Sequence, residues 1–134
     1  MDFVDDGMCF ACGKGNVEGL QLDFTLLEDG KIRTEFTPAK KFQGFKDILH
    51  GGIMAVLLDE AMIHLAFRRG EKVVTGKIEM RLRKPAKIGE KIIVTAQQMS
   101  SSGRTLELTA EAKTTGGDLL AEGRATMVRV QEGA

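Results

Sequence analysis

The 134-residue chain reads as an α+β domain in which a single antiparallel sheet curls around one long buried helix. Three observations predict this. An apolar run of helical length follows His50; the stretches before and after it alternate with period two; and short glycine-containing turn signals separate the later strands.

The helix opens at His50-Gly51-Gly52. A helix N-terminus leaves backbone N–H groups without intrahelical partners, and glycine lets a ligand come close to them. From Ile53 to Phe67 only Asp59, Glu60 and His64 are polar. A helix that is apolar nearly all round is wrapped by other structure, and this one is too short and too polar to span a membrane. At about 100° per residue, Asp59 falls on nearly the same face as Gly52, among Ala55, Val56, Ile63 and Ala66. Glu60 falls on another face, beside Leu57, His64 and Phe67, and is placed to pair with His64 at i+4. A buried carboxylate is costly unless something uses it, so this segment offers backbone donors and an acid together.

Before the helix, Leu20, Leu22, Phe24 and Leu26 face one way, and Glu28-Asp29-Gly30 turns the chain into Ile32, Thr34 and Phe36. After it, Val74, Gly76, Ile78, Met80 and Leu82 alternate with polar residues, which puts Thr75 on the polar face with Lys77; Gly76 is a place for a bulge. Leu106, Leu108, Ala110 and Ala112 form the next apolar face, and Leu119, Ala121, Gly123, Ala125 and Met127 another. Ser101-Ser102-Gly103 and Gly116-Gly117-Asp118 read as hairpin turns. No linker or repeat interrupts the pattern, so residues 1–134 are expected to form one domain, long enough for a sizeable core.

Nineteen basic and nineteen acidic residues cancel, which argues against nucleic acid as a partner, and Trp and Tyr are absent. The N-terminus carries Asp2, Asp5 and Asp6 and no apolar run, so it does not read as a signal peptide. A cytoplasmic location and no membrane association are the expectation.

His50-Gly51-Gly52 followed by Leu58-Asp59-Glu60-Ala61 resembles the signature of hotdog-fold acyl-CoA thioesterases of the PaaI-like group. Phe42-Gln43-Gly44-Phe45, the Lys84-Pro85-Ala86-Lys87-Ile88-Gly89-Glu90 turn, Ala121-Glu122-Gly123-Arg124-Ala125 and the opening Cys9-Phe10-Ala11-Cys12-Gly13 with Gly19-Leu20 extend the similarity over most of the chain. The resemblance implies hydrolysis of an acyl-CoA thioester to free acid and coenzyme A. Asp59 is the implied general base or nucleophile, and the Gly51 and Gly52 N–H groups are the expected oxyanion donors. One such donor is worth about 100- to 1,000-fold in rate.

His50 is implied as a supporting member of the site. Thr75, counted back from Pro85, aligns with a hydroxyl residue that helps relatives hold the attacking water. Gln43 stands loosely where some relatives use an Asn. Relatives contact the coenzyme along two segments that here hold Arg83, Lys84, Pro85 and Lys87, and Ser102, Gly103 and Arg104; Arg and Lys on loops suit phosphates. The acyl pocket is expected to use Met54, Met62 and Phe67. The resemblance further implies a homodimer or homotetramer with sites at the subunit interface, and no cofactor beyond the coenzyme A of the substrate. Two alternatives are a non-catalytic acyl-CoA-binding protein and a hotdog enoyl-CoA hydratase or dehydratase; loss of the Asp59 carboxylate separates hydrolysis from simple binding.

Cys9-x-x-Cys12-Gly13 looks like half a zinc knuckle. A structural zinc needs four ligands, no second cysteine pair exists, and both histidines lie at the helix. A redox motif would want a βα context that is missing. The expectation is a tight turn with reduced thiols and no metal; a metal held by the pair is the alternative.

Overall fold

The computed structural model describes residues 3–130; Asp2 of the acidic opening lies outside them. The elements run β1 (Thr25–Leu26), β2 (Ile32–Phe36), a 3-10 turn (Lys40–Phe42), α1 (Gly51–Arg68), β3 (Val73–Leu82), β4 (Ile92–Ser102), β5 (Thr105–Thr114) and β6 (Leu119–Arg129). The six strands form one antiparallel sheet in the order β1-β2-β4-β5-β6-β3. The α+β arrangement is the one expected.

One face of the sheet carries Ile32, Val94, Ala96, Leu106, Leu108, Ala125 and Met127, all at 2% exposure or less. They pack against Leu57, Leu58, Ala61, Met62 and Leu65 of α1, each fully buried. Burying a side chain of this size stabilises by about 1.5–3 kcal/mol, so the helix is held by its contact with the sheet. Gly123 permits the close approach: a Cβ there would meet Leu58 Cδ1 at 3.2 Å.

Three local expectations change. Leu20, Leu22 and Phe24 are buried as their alternation predicts, but only Thr25–Leu26 joins the ladder. The Leu20 and Leu22 N–H groups donate instead to the Phe10 and Ala11 carbonyls, each at 2.9 Å. The turn after β4 is Gly103-Arg104 alone, since Ser102 pairs with Thr105 and Gly103 takes φ +57°; a two-residue hairpin needs this left-handed backbone. Finally, the register of β3 slips between Thr75 and Lys77, so that Gly76 is an extra residue. The expected bulge is there, but the phase it sets is not the expected one.

The chain order leaves β3 at one edge of the sheet. Ile78 and Leu82 lie opposite the core-facing Ala125 and Ala121, yet are 36% and 57% exposed. The strand therefore runs past the helix and presents apolar side chains to solvent.

Candidate active site

His50 is the N-cap of α1. Its Nδ1 accepts from the Gly52 N–H at 2.8 Å, while Ile53 and Met54 N–H groups reach the His50 carbonyl. This corrects the expectation of two backbone donors: the Gly52 N–H is already engaged. The Gly51 N–H has no acceptor among the described residues and is the donor left open at the helix start. Accepting through Nδ1 puts the proton of the neutral imidazole on Nε2, which makes that edge of the exposed His50 a donor.

Asp59 sits two turns along, half-buried among Ala55, Val56 and Ile63, themselves half-buried. Its Oδ1 accepts a 2.6 Å hydrogen bond from the Thr75 hydroxyl. The bulge makes this possible. Thr75 pairs with the buried Met127, so it faces α1 and not the polar side with Lys77. Gly76 absorbs the odd residue, and a Cβ at that position would crowd Val128 Cγ2 at 2.8 Å. Burial pushes the Asp59 carboxyl above its ordinary value of 3.8; the Thr75 hydrogen bond opposes this, and the Glu60 charge adds to it.

Glu60 points elsewhere, as its helical position predicts. Its carboxylate lies 3.5 Å from His64 Nε2, whose ring stacks on Phe24 at 4.1 Å. The expected pocket residues are corrected too. Met54 and Met62 are 2% and 0% exposed in the core, because they lie on the sheet-facing stripe, and Phe67 is half exposed near the helix end. The apolar surface beside Asp59 is instead Ala55, Val56 and Ile63.

The remaining expected residues fall into two groups at opposite ends of the sheet. Leu49 and Ile48 bond and bridge to Ala86 and Lys87, and a Cβ on Gly51 would meet Leu82, so the loop holding Arg83, Lys84, Pro85 and Lys87 adjoins the helix start. Gln43 is there as well, with its side-chain carbonyl accepting from the Asp47 N–H at 3.1 Å; it shapes the loop before the helix. Arg83 pairs with Glu122 at 2.7 Å and Lys84 with Asp118 at 3.6 Å, whereas Lys87 forms no ion pair among the described residues. Ser102, Gly103 and Arg104 lie at the other end, the end that also holds Thr75, because Ser101 and Thr75 occupy the same cross-sheet row three strands apart. Arg129 fixes that end: it makes a two-pronged pair with Glu71 at 2.8 and 2.9 Å and donates to the Gly103 carbonyl.

Within one chain the donor and the acid do not meet. Eight residues of helix separate Gly51 from Asp59, about 12 Å along the axis. A water held at Asp59 is therefore out of reach of a carbonyl held at Gly51 of the same chain.

The thioesterase superfamily pattern matches residues 46–121, which include the helix and β3. Human acyl-coenzyme A thioesterase 13 is 34% identical over 101 residues, 72% of this chain and 71% of that protein. A thioesterase superfamily protein of known structure superposes with a TM-score of 0.86 at 24% identity, covering 90% of this chain; the chain spans 60% of that longer protein. The Escherichia coli PaaI protein of the phenylacetic acid degradation operon superposes with a TM-score of 0.77 at 20% identity, over 84% of this chain and 81% of that one. The matched segment carries the glycine-opened helix and its acid, and one curled sheet wraps that helix, so the chain belongs to the thioesterase superfamily and has its hotdog fold.

Proposed function

We propose that the chain hydrolyses acyl-CoA thioesters to free acid and coenzyme A, with Asp59 as the general base. The observation that carries this is the Thr75–Asp59 hydrogen bond on the half-buried face of α1. It holds one carboxylate oxygen and leaves the other for a water. Burial that raises the carboxyl pKa makes it a better proton acceptor. The thioester carbonyl is held by the Gly51 N–H, where the helix dipole and the His50 Nε2–H favour the developing negative oxygen. As water attacks, Asp59 takes its proton; collapse of the tetrahedral adduct releases the coenzyme A thiolate and the free acid.

The 12 Å gap is closed by a second copy. Reacting atoms need to approach to about 3–3.5 Å, so a water on Asp59 cannot attack a carbonyl held at Gly51 of the same chain. Two copies paired antiparallel along β3 bring the Gly51 end of one beside the Asp59 end of the other. The exposed apolar Ile78 and Leu82 on the edge strand support this homodimer, since an uncovered edge is a template for pairing. The same pairing unites Lys87 of one copy with Arg104 of the other as contacts for the coenzyme phosphates. No helix among the described residues is long and apolar enough to cross a membrane.

The test is thiol release from short, medium, long and aryl acyl-CoAs by wild type and Asp59→Asn, with a no-substrate blank because Cys9 and Cys12 react with thiol reagents. Release by wild type and near-complete loss in Asp59→Asn supports the reading. Release undiminished without the carboxylate overturns the role of Asp59, and no release from any acyl-CoA leaves a binding protein.

A further inference from the structure

The loop before β1 carries a cluster that the hydrolytic site does not use. Cys9 Sγ, Cys12 Sγ and a Glu60 carboxylate oxygen all lie within 4.8 Å of one another, and all three residues are half-buried. From the sequence, the cysteine pair lacks further ligands; the fold supplies one by laying the loop across α1. We propose that Cys9, Cys12 and Glu60 form a site for a zinc-class divalent cation that pins this loop to the helix, with a solvent molecule as fourth ligand.

The chemistry of the donors selects the cation. Two thiolates and a carboxylate suit a borderline-soft ion, not calcium or magnesium, which take oxygen ligands. Zinc–sulfur and zinc–oxygen distances of about 2.3 and 2.0–2.2 Å put tetrahedral ligands about 3.5–3.8 Å apart, so closing the cluster by an ångström suffices. Binding displaces the thiol protons.

The surroundings are built to hold the ligands. Gly13 N–H bonds to the Cys9 carbonyl at 2.8 Å and tightens the Cys9–Cys12 turn; a Cβ on Gly13 would collide with the backbone of Cys9 and Gly7. Ala11, between the two cysteines, is 3% exposed against the core. On the other side His64, locked by its stack on Phe24, faces the Glu60 carboxylate and orients it, the usual task of a group behind a metal ligand. Residues 7–22 form no strand or helix and are held by turn and side-chain hydrogen bonds, the kind of segment a metal ligand set stabilises. The cation would sit one residue from Asp59, tying the loop to the same turn of helix.

The full chain, reduced and stripped with chelator, is titrated with zinc and with cobalt(II). The expected result is one zinc retained per chain through gel filtration, and a cobalt form with thiolate-to-metal charge-transfer absorption. Cys9→Ser and Cys12→Ser abolish that absorption, and Glu60→Gln weakens zinc binding at least about tenfold. Zinc also shields both thiols of the wild type from alkylation, a readout that stands if the cysteine variants do not fold. Failure to retain zinc, equal affinity in Glu60→Gln, or a Cys9–Cys12 disulfide forming unhindered in the presence of zinc would each overturn the site.

Discussion

The Thr75 hydroxyl reaches Asp59 Oδ1 at 2.6 Å only because Gly76 is an extra residue in β3. Without the bulge, strict alternation would turn Thr75 to the outer face of the sheet. A hydrogen bond to a charged group is worth about 1.5–3 kcal/mol. Thr75→Val therefore lowers kcat by roughly ten- to a hundredfold with KM little changed, and Thr75→Ser restores most of it. Steady-state kinetics of both variants check this; an unimpaired Thr75→Val would contradict it.

Removing the Asp59 carboxylate separates stability from activity. General-base catalysis contributes about 10²- to 10⁴-fold, so Asp59→Asn loses that much in kcat. Its effect on folding has the opposite sign. The folded-state pKa is raised mainly by burial, so the native state binds the proton more tightly than the unfolded chain. Stability thus falls as pH rises from 3.8 through the raised value and stays lower above it. Asn carries no charge and still accepts from Thr75. Asp59→Asn is expected to raise the melting temperature at pH 7, with the gain vanishing below the ordinary carboxyl range. Thermal melts across pH measure this, and a lower melting temperature at pH 7 would contradict it.

Much of this architecture is legible in the sequence, because the period-two alternation of the strands and the apolar run after His50 are direct records of burial. The position of Asp59 on the helix face follows from the angle per residue. What does not follow is set by contacts between distant segments. The phase of Thr75 depends on which residue of β3 the sheet skips. The engagement of the Gly52 N–H depends on the His50 rotamer. The proximity of Glu60 to Cys9 and Cys12 depends on where an irregular loop is laid down. Angular position alone also hides the axial distance between Gly51 and Asp59.

Gly51→Pro deletes the open donor, and its added Cβ meets Leu82 Cδ1 at 3.2 Å, the far end of an exposed side chain that can give way. Proline is well tolerated at the first helical position, and His50 already has the extended backbone that a following proline requires, with φ −59° and ψ 133°. Loss of one oxyanion donor costs about 100- to 1,000-fold in kcat. Circular dichroism and melting close to wild type, with kcat reduced by that factor, are the expected outcome.

Gly76→Ala tests the bulge itself. The added Cβ meets Val128 Cγ2 at 2.8 Å and the Thr126 carbonyl at 3.4 Å. Overpacking of this kind costs about 1–3 kcal/mol, and relief of the clash shifts Thr75 away from Asp59. Denaturant unfolding gives the stability loss; kcat is expected to fall alongside it, towards the Thr75→Val level.

The claim that each site draws Gly51 from one copy and Asp59 from another is tested most directly by a hybrid. Gly51→Pro and Asp59→Asn chains, each nearly inactive alone, are unfolded together, refolded and assayed for thiol release from an acyl-CoA. A mixed dimer regains one intact site of its two, and half of a random mixture is mixed dimer, so about a quarter of wild-type activity is predicted. A mixture no more active than its two components would contradict the shared site.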